Sequence, residues 1–355
     1  MSNAKVLVVA PSRKTRGGIT AVVQAYSHTR LWTDWNCYWI ETHIDRGAAF
    51  KMFYFLRSFL IYLVKLPAYQ IVHIHFSEPV SAIRKNFFLR TAKLFGKKTI
   101  VHFHSFSPDT TIRSKYSRLY RFFFTKADRA VVLSEYWKRE VQAEFSGIRD
   151  LRIIYNPSIH SLDESKQITA GSSGYILFAG TLNERKGFRD LIKAFALIAK
   201  QYPDWKLVFA GNGEIDAGKD LAIELGIESQ VEFAGWVAGP AKDELFNNAS
   251  IFCLPSYAEG FPMAILDAMS YAIPVIATPV GGVTDVFRDN YHLLIFPPGD
   301  TGQLSERLKH LIDHPQLRKD LVLHSAAILR ENFELSMVVG KVDELYRSLM
   351  PRSEN

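Results

Sequence analysis

The sequence predicts an α/β protein built from two doubly wound domains, and three observations carry that prediction. Its 355 residues are long for one domain and comfortable for two, each able to bury its own core. Short apolar runs rich in Val and Ile alternate with amphipathic stretches, as βαβ units around a parallel sheet require. Charge also changes along the chain: residues 1–155 hold 25 Lys and Arg against 10 Asp and Glu, a balance of +15, whereas residues 156–355 hold 18 against 26, a balance of −8. The change falls at a Ser-, Asp-, Glu- and Gly-containing run, read as a linker over 158–174 between domains at 1–157 and 175–333, with a terminal helical segment at 334–355. Hydrophobic residues make up 48% and charged residues 22%, which excludes a disordered chain.

In order, Lys5 to Pro11 (KVLVVAP) reads as the first strand, followed by the loop Ser12 to Gly18 and a helix beginning near Ile19. Gly17 and Gly18 let backbone amides approach a phosphate, and Arg13, Lys14 and Arg16 add positive charge beside them. The apolar run Phe50 to Leu66 is interrupted by Lys51, Arg57 and Lys65, and its seventeen residues fall short of the roughly twenty a membrane span needs. It is expected to be a helix buried in the first domain, in slight preference to one facing a membrane. Strands Ile71 to Phe76 (IVHIHF) and Thr99 to His104 (TIVHFH) put His73 with His75, and His102 with His104, on common faces. Four histidines invite a metal, yet no accompanying carboxylate pattern is present, so they are read as core or strand-end groups and no metal is expected.

Between Arg84 and Arg129 stand twelve basic residues and two acids, Asp109 and Asp128, interleaved with aromatics. That pattern points to an anionic membrane surface. Nucleic acid is not expected, because no helix-turn-helix, zinc or RNP pattern accompanies the charge. Cys37 and Cys253 have no C-x-x-C spacing, and Val6 to Ala10 is too short for a signal peptide, so a reducing cytoplasm is the expected compartment, with peripheral attachment to the inner face of the membrane.

The second half restarts with a strand, Tyr175 to Ala179, the loop Gly180 to Gly187 and a helix from Phe188 to Lys200. Strands at Lys206 to Ala210 and Val231 to Gly235 follow, then Ala249 to Pro255 and, as its parallel neighbour, Pro274 to Thr278. Lys186, a cation at a helix start, is electrostatically odd without an anion nearby. Glu259, Gly260 and Phe261 form the loop between two strands and their helix, with Pro262 at the first helical position. Asp267 follows Glu259 by eight positions, about two turns into that helix. On these two acids alone a plainer account is preferred, in which Glu259 complements the helix end and Asp267 is solvated.

The surrounding string, EGFPMAILD, resembles the E-x7-E signature of glycosyltransferase family 4, a retaining family with the GT-B fold of two Rossmann-like domains facing across a cleft. The closing acid here is Asp. By position, the resemblance assigns Glu259 to the transferred sugar and Asp267 to the nucleotide ribose, with Gly260, Phe261 and Pro262 in the donor loop. It assigns the Gly17-Gly18 loop to the donor diphosphate, His104 to the floor beside the donor sugar and Lys186 to the phosphates. Thr181 replaces the family's usual Arg, which leaves either Arg185 as its substitute or the phosphates to Lys186 alone. Gly213 lies in the adjoining glycine turn, Trp236 and Val237 match the segment whose backbone reads the base, and Gly281-Gly282 closes the site. The segment 334–355 would cross back to the first domain.

What the resemblance implies is a retaining glycosyltransferase moving a sugar, from a UDP-sugar by preference, to a glycan or lipid-linked acceptor in cell-surface polysaccharide synthesis. Glu259, His104 and Lys186 would be its catalytic residues. No D-x-D triad occurs in the sequence, so metal-independent transfer is expected and no cofactor. A sugar-nucleotide-binding module without turnover, or an epimerase, stands as the alternative.

Overall fold

The computed structural model describes residues 4–45, 47–160 and 174–351. Most of the expected linker, residues 161–173, lies outside them. The chain divides into two compact units, Met1–Ile159 together with Glu334–Asn355, and His160–Phe333.

The first unit contains six strands: β1 (Val6–Ala10), β2 (Tyr38–Glu41), β3 (Ile71–Phe76), β4 (Lys98–Phe103), β5 (Arg129–Val132) and β6 (Leu151–Ile153). They form one parallel sheet in the order β2-β1-β3-β4-β5-β6. Every residue of β1 and β3 is buried, so β1 is a continuous apolar run, while β3 interleaves its apolar residues with the buried His73 and His75. Aromatic rings fill one side of the sheet, with Phe76 stacked on Phe123 at 4.3 Å and Phe103 edge-on to Trp137 at 5.0 Å. The terminal helix Leu335–Arg347 packs into this unit: Trp35 Nε1 donates to Asp343 Oδ1 at 2.7 Å, and the buried Tyr346 hydroxyl meets His73 Nδ1 at 2.8 Å.

The helix Ala48–Lys65 corrects the expectation of burial. Only Ser58 and Tyr62 are buried in it, while Phe50, Met52, Phe53, Leu56, Leu60 and Val64 are exposed. It packs on the unit through Phe55, Phe59 and Tyr62 against Phe88 of the next helix at 4.9–6.1 Å and through Lys65 Nζ over the Tyr38 ring at 4.0 Å. The apolar residues of this helix extend beyond the face that these contacts cover, which leaves them beside Lys51 and Arg57 at the surface. No described helix is long and apolar enough to cross a membrane.

The second unit contains β7 (Gly174–Ala179), β8 (Trp205–Ala210), β9 (Val231–Gly235), β10 (Ile251–Leu254), β11 (Val275–Ala277) and β12 (Leu294–Ile295). The sheet is again parallel, ordered β12-β11-β10-β7-β8-β9. The chain therefore builds outward from β7 to one edge, returns to β10 and builds to the other. The connections from β7 and β10 lead to opposite edges of the sheet at this reversal, the switch point that in doubly wound sheets makes the ligand crevice. The fold is α/β, with two parallel doubly wound sheets.

Candidate active site

Lys186 and Glu259 meet at that reversal. The loop after β7 closes with one tight turn, Glu184–Lys186, in which the Asn183 side chain accepts the Lys186 amide hydrogen at 3.1 Å. Gly187 follows at φ +66°, and a Cβ there would stand 2.0 Å from the Pro255 carbonyl oxygen, so the Lys-Gly step is glycine by necessity. The close approach seats the loop after β7 on the loop after β10, and the Tyr257 amide donates to the Arg185 carbonyl at 2.7 Å.

Lys186 Nζ donates to Glu259 Oε1 at 2.5 Å, and the Ser256 hydroxyl donates to the same oxygen at 2.7 Å. Arg185 Nη1 lies 3.6 Å from that oxygen and donates to the Ala258 carbonyl at 2.7 Å. Two cations face one carboxylate, and Glu259 is 7% exposed. An excess positive charge with a well-oriented carboxylate suits a ligand carrying both an anion and hydroxyl groups. Ser256 is absent from the sequence-derived set; its signal, a serine three positions ahead of Glu259, is too common to read.

Gly281, at φ +60°, supports the same loop. A Cβ on it would lie 2.1 Å from the Glu259 carbonyl oxygen, and the Gly282 amide donates to the Gly260 carbonyl at 3.0 Å. Phe261 is buried and packs on Phe333 at 5.2 Å, so its side chain anchors the loop in the core. Pro262 sits one position earlier than expected: it caps the helix Met263–Ser270 in an extended conformation.

Asp267 makes its ion pair with Lys242 of the helix Pro240–Asn248, at 2.7 Å, while its Oδ1 is buried without a partner among the described residues. Lys242 carries no sequence signal, being one lysine on a polar helix. Gly213 bridges to Leu182, joining the loop after β8 to the loop after β7. Trp236, 48% exposed, and Val237 follow the edge strand β9, two strands from β7.

In the first unit the sheet reverses between β1 and β3. Gly17 caps the helix Gly18–Ser27 just beyond β1. Arg13, expected to add positive charge beside it, donates from Nη1 to Glu41 Oε1 at 2.5 Å, and its guanidinium lies 4.5 Å from the Trp39 ring centre. That pairing spans 28 residues and ties the β1 loop to the end of β2.

His104 follows β4, and its amide donates to the Phe76 carbonyl at 2.8 Å. Its Nε2 is 3.0 Å from Nδ1 of His75. Burial, with the nearby His73 and Lys85, lowers the His104 pKa to about 3. Lys85 is fully buried with the Ser81 hydroxyl at 3.0 Å, and burial followed by Arg84 lowers its pKa to about 7. Ligand atoms of His73, His75 and His102 fall within 4.8 Å of one another. The His73 and His102 rings are parallel within 5° at 5.5 Å between centres, and the His75 ring is inclined to them by 31° and 27°.

Residues 4–158 match the family described as Glycosyltransferase Family 4, and residues 162–325 match Glycosyl transferases group 1. The chain belongs to glycosyltransferase family 4. An uncharacterized glycosyltransferase of Haemophilus influenzae is 30% identical to this family member over 198 residues, covering 54% of each protein. The chain spans about half the length of such curated relatives. Among solved structures, the sucrose-phosphate synthase of Thermosynechococcus elongatus superimposes with a TM-score of 0.81 at 17% identity, covering 98% of this chain and 99% of that one. Anabaena HepE in complex with UDP-glucose gives 0.77 at 18% identity, covering 97% and 99%. At these identities the likeness establishes the fold, α/β of the GT-B type.

Proposed function

We propose that this glycosyltransferase moves a sugar from a nucleotide diphosphate sugar, a UDP-sugar by preference, to a hydroxyl of a glycan or lipid-linked acceptor in cell-surface polysaccharide synthesis. Transfer proceeds with retention of anomeric configuration and without a metal. The observation that carries the reading is the Lys186–Glu259 pair at 2.5 Å, held where the second sheet reverses direction. Lys186 and Arg185 take the diphosphate, whose charge grows as the sugar departs, and Glu259 orients the sugar hydroxyls. Asp267 takes the ribose, Trp236 and Val237 flank the base, the Gly17-Gly18 turn meets phosphate, and His104 meets the sugar. The UDP-glucose complex of HepE supports the choice of donor.

The test is incubation of purified protein with labelled UDP- and GDP-sugars, with and without a lipid extract. Acceptor-dependent nucleotide release that Glu259→Gln abolishes supports transfer. Binding without release assigns a binding module, and a changed sugar without acceptor assigns an epimerase.

The acceptor-side surface adds a second part to the proposal: the first unit docks on the anionic inner face of a membrane. Phe53, Leu56, Leu60 and Val64 are exposed on the helix Ala48–Lys65 together with Lys51 and Arg57. Phe55 meets Phe87 of the helix Pro79–Leu94 at 5.7 Å, and that helix exposes Val80, Ile83 and Leu94, extending one greasy patch. Apolar side chains among cations on a half-chain with a balance of +15 match anionic lipid, and not a second equally basic copy. Sedimentation with phosphatidylglycerol vesicles at low salt checks it; equal indifference to anionic and neutral vesicles refutes it.

A further inference from the structure

His75 is buried beneath the end of β3, touches no ligand-facing surface, and yet its Nδ1 lies 3.0 Å from Nε2 of His104. One hydrogen serves that bond, and which imidazole supplies it decides what His104 offers on its other side. Burial, then the neighbouring histidines and the buried Lys85, disfavours any additional charge, so each ring carries a single proton near neutral pH.

Two arrangements remain. In one, His104 Nε2–H donates to His75, and the proton of His75 sits on Nε2. That Nε2 is buried with no partner among the described residues, so the arrangement strands a buried N–H. In the other, His75 Nδ1–H donates to His104, and only a bare lone pair is left on His75 Nε2. Buried N–H groups without acceptors are rarer than acceptors without donors. The second arrangement obliges His104 to carry its own proton on Nδ1, an atom outside the buried, unpartnered set.

We infer that His75 is a positioning residue that fixes His104 as the Nδ1–H tautomer, so that His104 presents a hydrogen-bond donor, and not a base, to an oxygen of the ligand. The inference rests on the placement of His104 at the sugar in the proposed function. It gives that residue a defined task, donating to a sugar oxygen, and removes it from any role in deprotonating the acceptor.

The experiment is a long-range proton–nitrogen correlation spectrum of the ring nitrogens in ¹⁵N-labelled full-length protein, with His104 assigned by its loss in His104→Gln. The expected result is a protonated Nδ1 and a bare Nε2 on His104. In His75→Leu, which removes the donor, the His104 tautomer shifts toward Nε2–H and kcat falls about tenfold with the donor KM little changed, the scale of one lost orienting hydrogen bond. His75→Asn places an amide N–H where Nδ1 stood and restores the Nδ1–H spectrum and most of kcat, which also covers a His75→Leu variant that fails to fold. A wild-type His104 protonated on Nε2 overturns the inference. The spectrum needs no substrate, so an inactive protein with the expected spectrum tells against the transferase reading and leaves the histidine pair standing.

Discussion

Replacing Lys186 by Met and Glu259 by Gln, singly and together, separates what this pair does for the fold from what it does for a ligand. A fully buried ion pair that loses one partner costs about 3–5 kcal/mol, and an exposed pair contributes about 0–1. With side chains 13% and 9% exposed, Lys186 and Glu259 lie toward the buried limit. Lys186→Met does not orphan the carboxylate entirely, because Ser256 stays at 2.7 Å and Arg185 at 3.6 Å. The expected loss is therefore about 2 kcal/mol, or about 4–8 °C in the melting of a unit this size. Glu259→Gln keeps an acceptor oxygen but leaves a cation unneutralised, for a similar cost, and the double variant recovers about 1–2 kcal/mol of the combined loss.

Nucleotide binding moves differently. If Lys186 takes phosphate, its loss weakens UDP binding by about tenfold to a hundredfold, one charge-assisted hydrogen bond. Glu259→Gln frees Lys186 from its competitor, so UDP binds equally well or a few-fold tighter, while transfer falls by at least about a hundredfold. Calorimetric titration with UDP, beside thermal melts of the same variants, reads both quantities. The reasoning is refuted if Lys186→Met leaves UDP affinity unchanged. It is equally refuted if Glu259→Gln loses UDP affinity tenfold without losing stability, since the carboxylate would then hold the nucleotide and not the sugar.

Gly281→Ala forces a side chain at φ +60° to within 2.1 Å of the Glu259 carbonyl, so transfer should be lost together with about 1–3 kcal/mol of stability, read by thermal melt and product assay. The folded-state pKa values of His73 and His104 are lowered from 6.5 to about 3, chiefly by burial. The unfolded chain then binds more protons between those values, so stability is full above about pH 6.5 and falls steadily as pH drops toward 3, which a series of denaturant melts will show. His102 has both ring nitrogens buried without partners among the described residues, and His102→Phe should stabilise the protein by about 1 kcal/mol and flatten that acid slope. Phe53→Ser with Leu60→Ser should reduce sedimentation with anionic vesicles severalfold without lowering the melting temperature, because both side chains already face water.

The second unit was legible because its chemistry is local. Lys186-Gly187 and Glu259-Gly260-Phe261 each lie within one loop that directly follows a strand, and glycines mark the places where the two loops touch. What stayed hidden is what depends on register and on partners distant in sequence. Nothing near Arg13 announces Glu41, and nothing near Asp267 announces Lys242. The apolar run after Gly47 reads as core because hydrophobicity reports what a helix carries, and only the tertiary structure decides how much of it a neighbour can cover.

The histidines show the same division most sharply. Alternation along β3 and β4 puts His73, His75, His102 and His104 on shared faces, and that much is sequence. The register that sets His75 opposite His102, and so brings His75 within reach of the residue beyond the end of β4, is a property of the sheet. A metal site and a proton-sharing stack have the same one-dimensional signature. What separates them is which ring nitrogens the sheet brings together: His75 Nδ1 meets His104 Nε2 at 3.0 Å between rings inclined by 29°. The chemistry assigned to His104 thus follows from strand pairing, and a one-residue slip of β4 against β3 would remove it while leaving every residue of both strands in place.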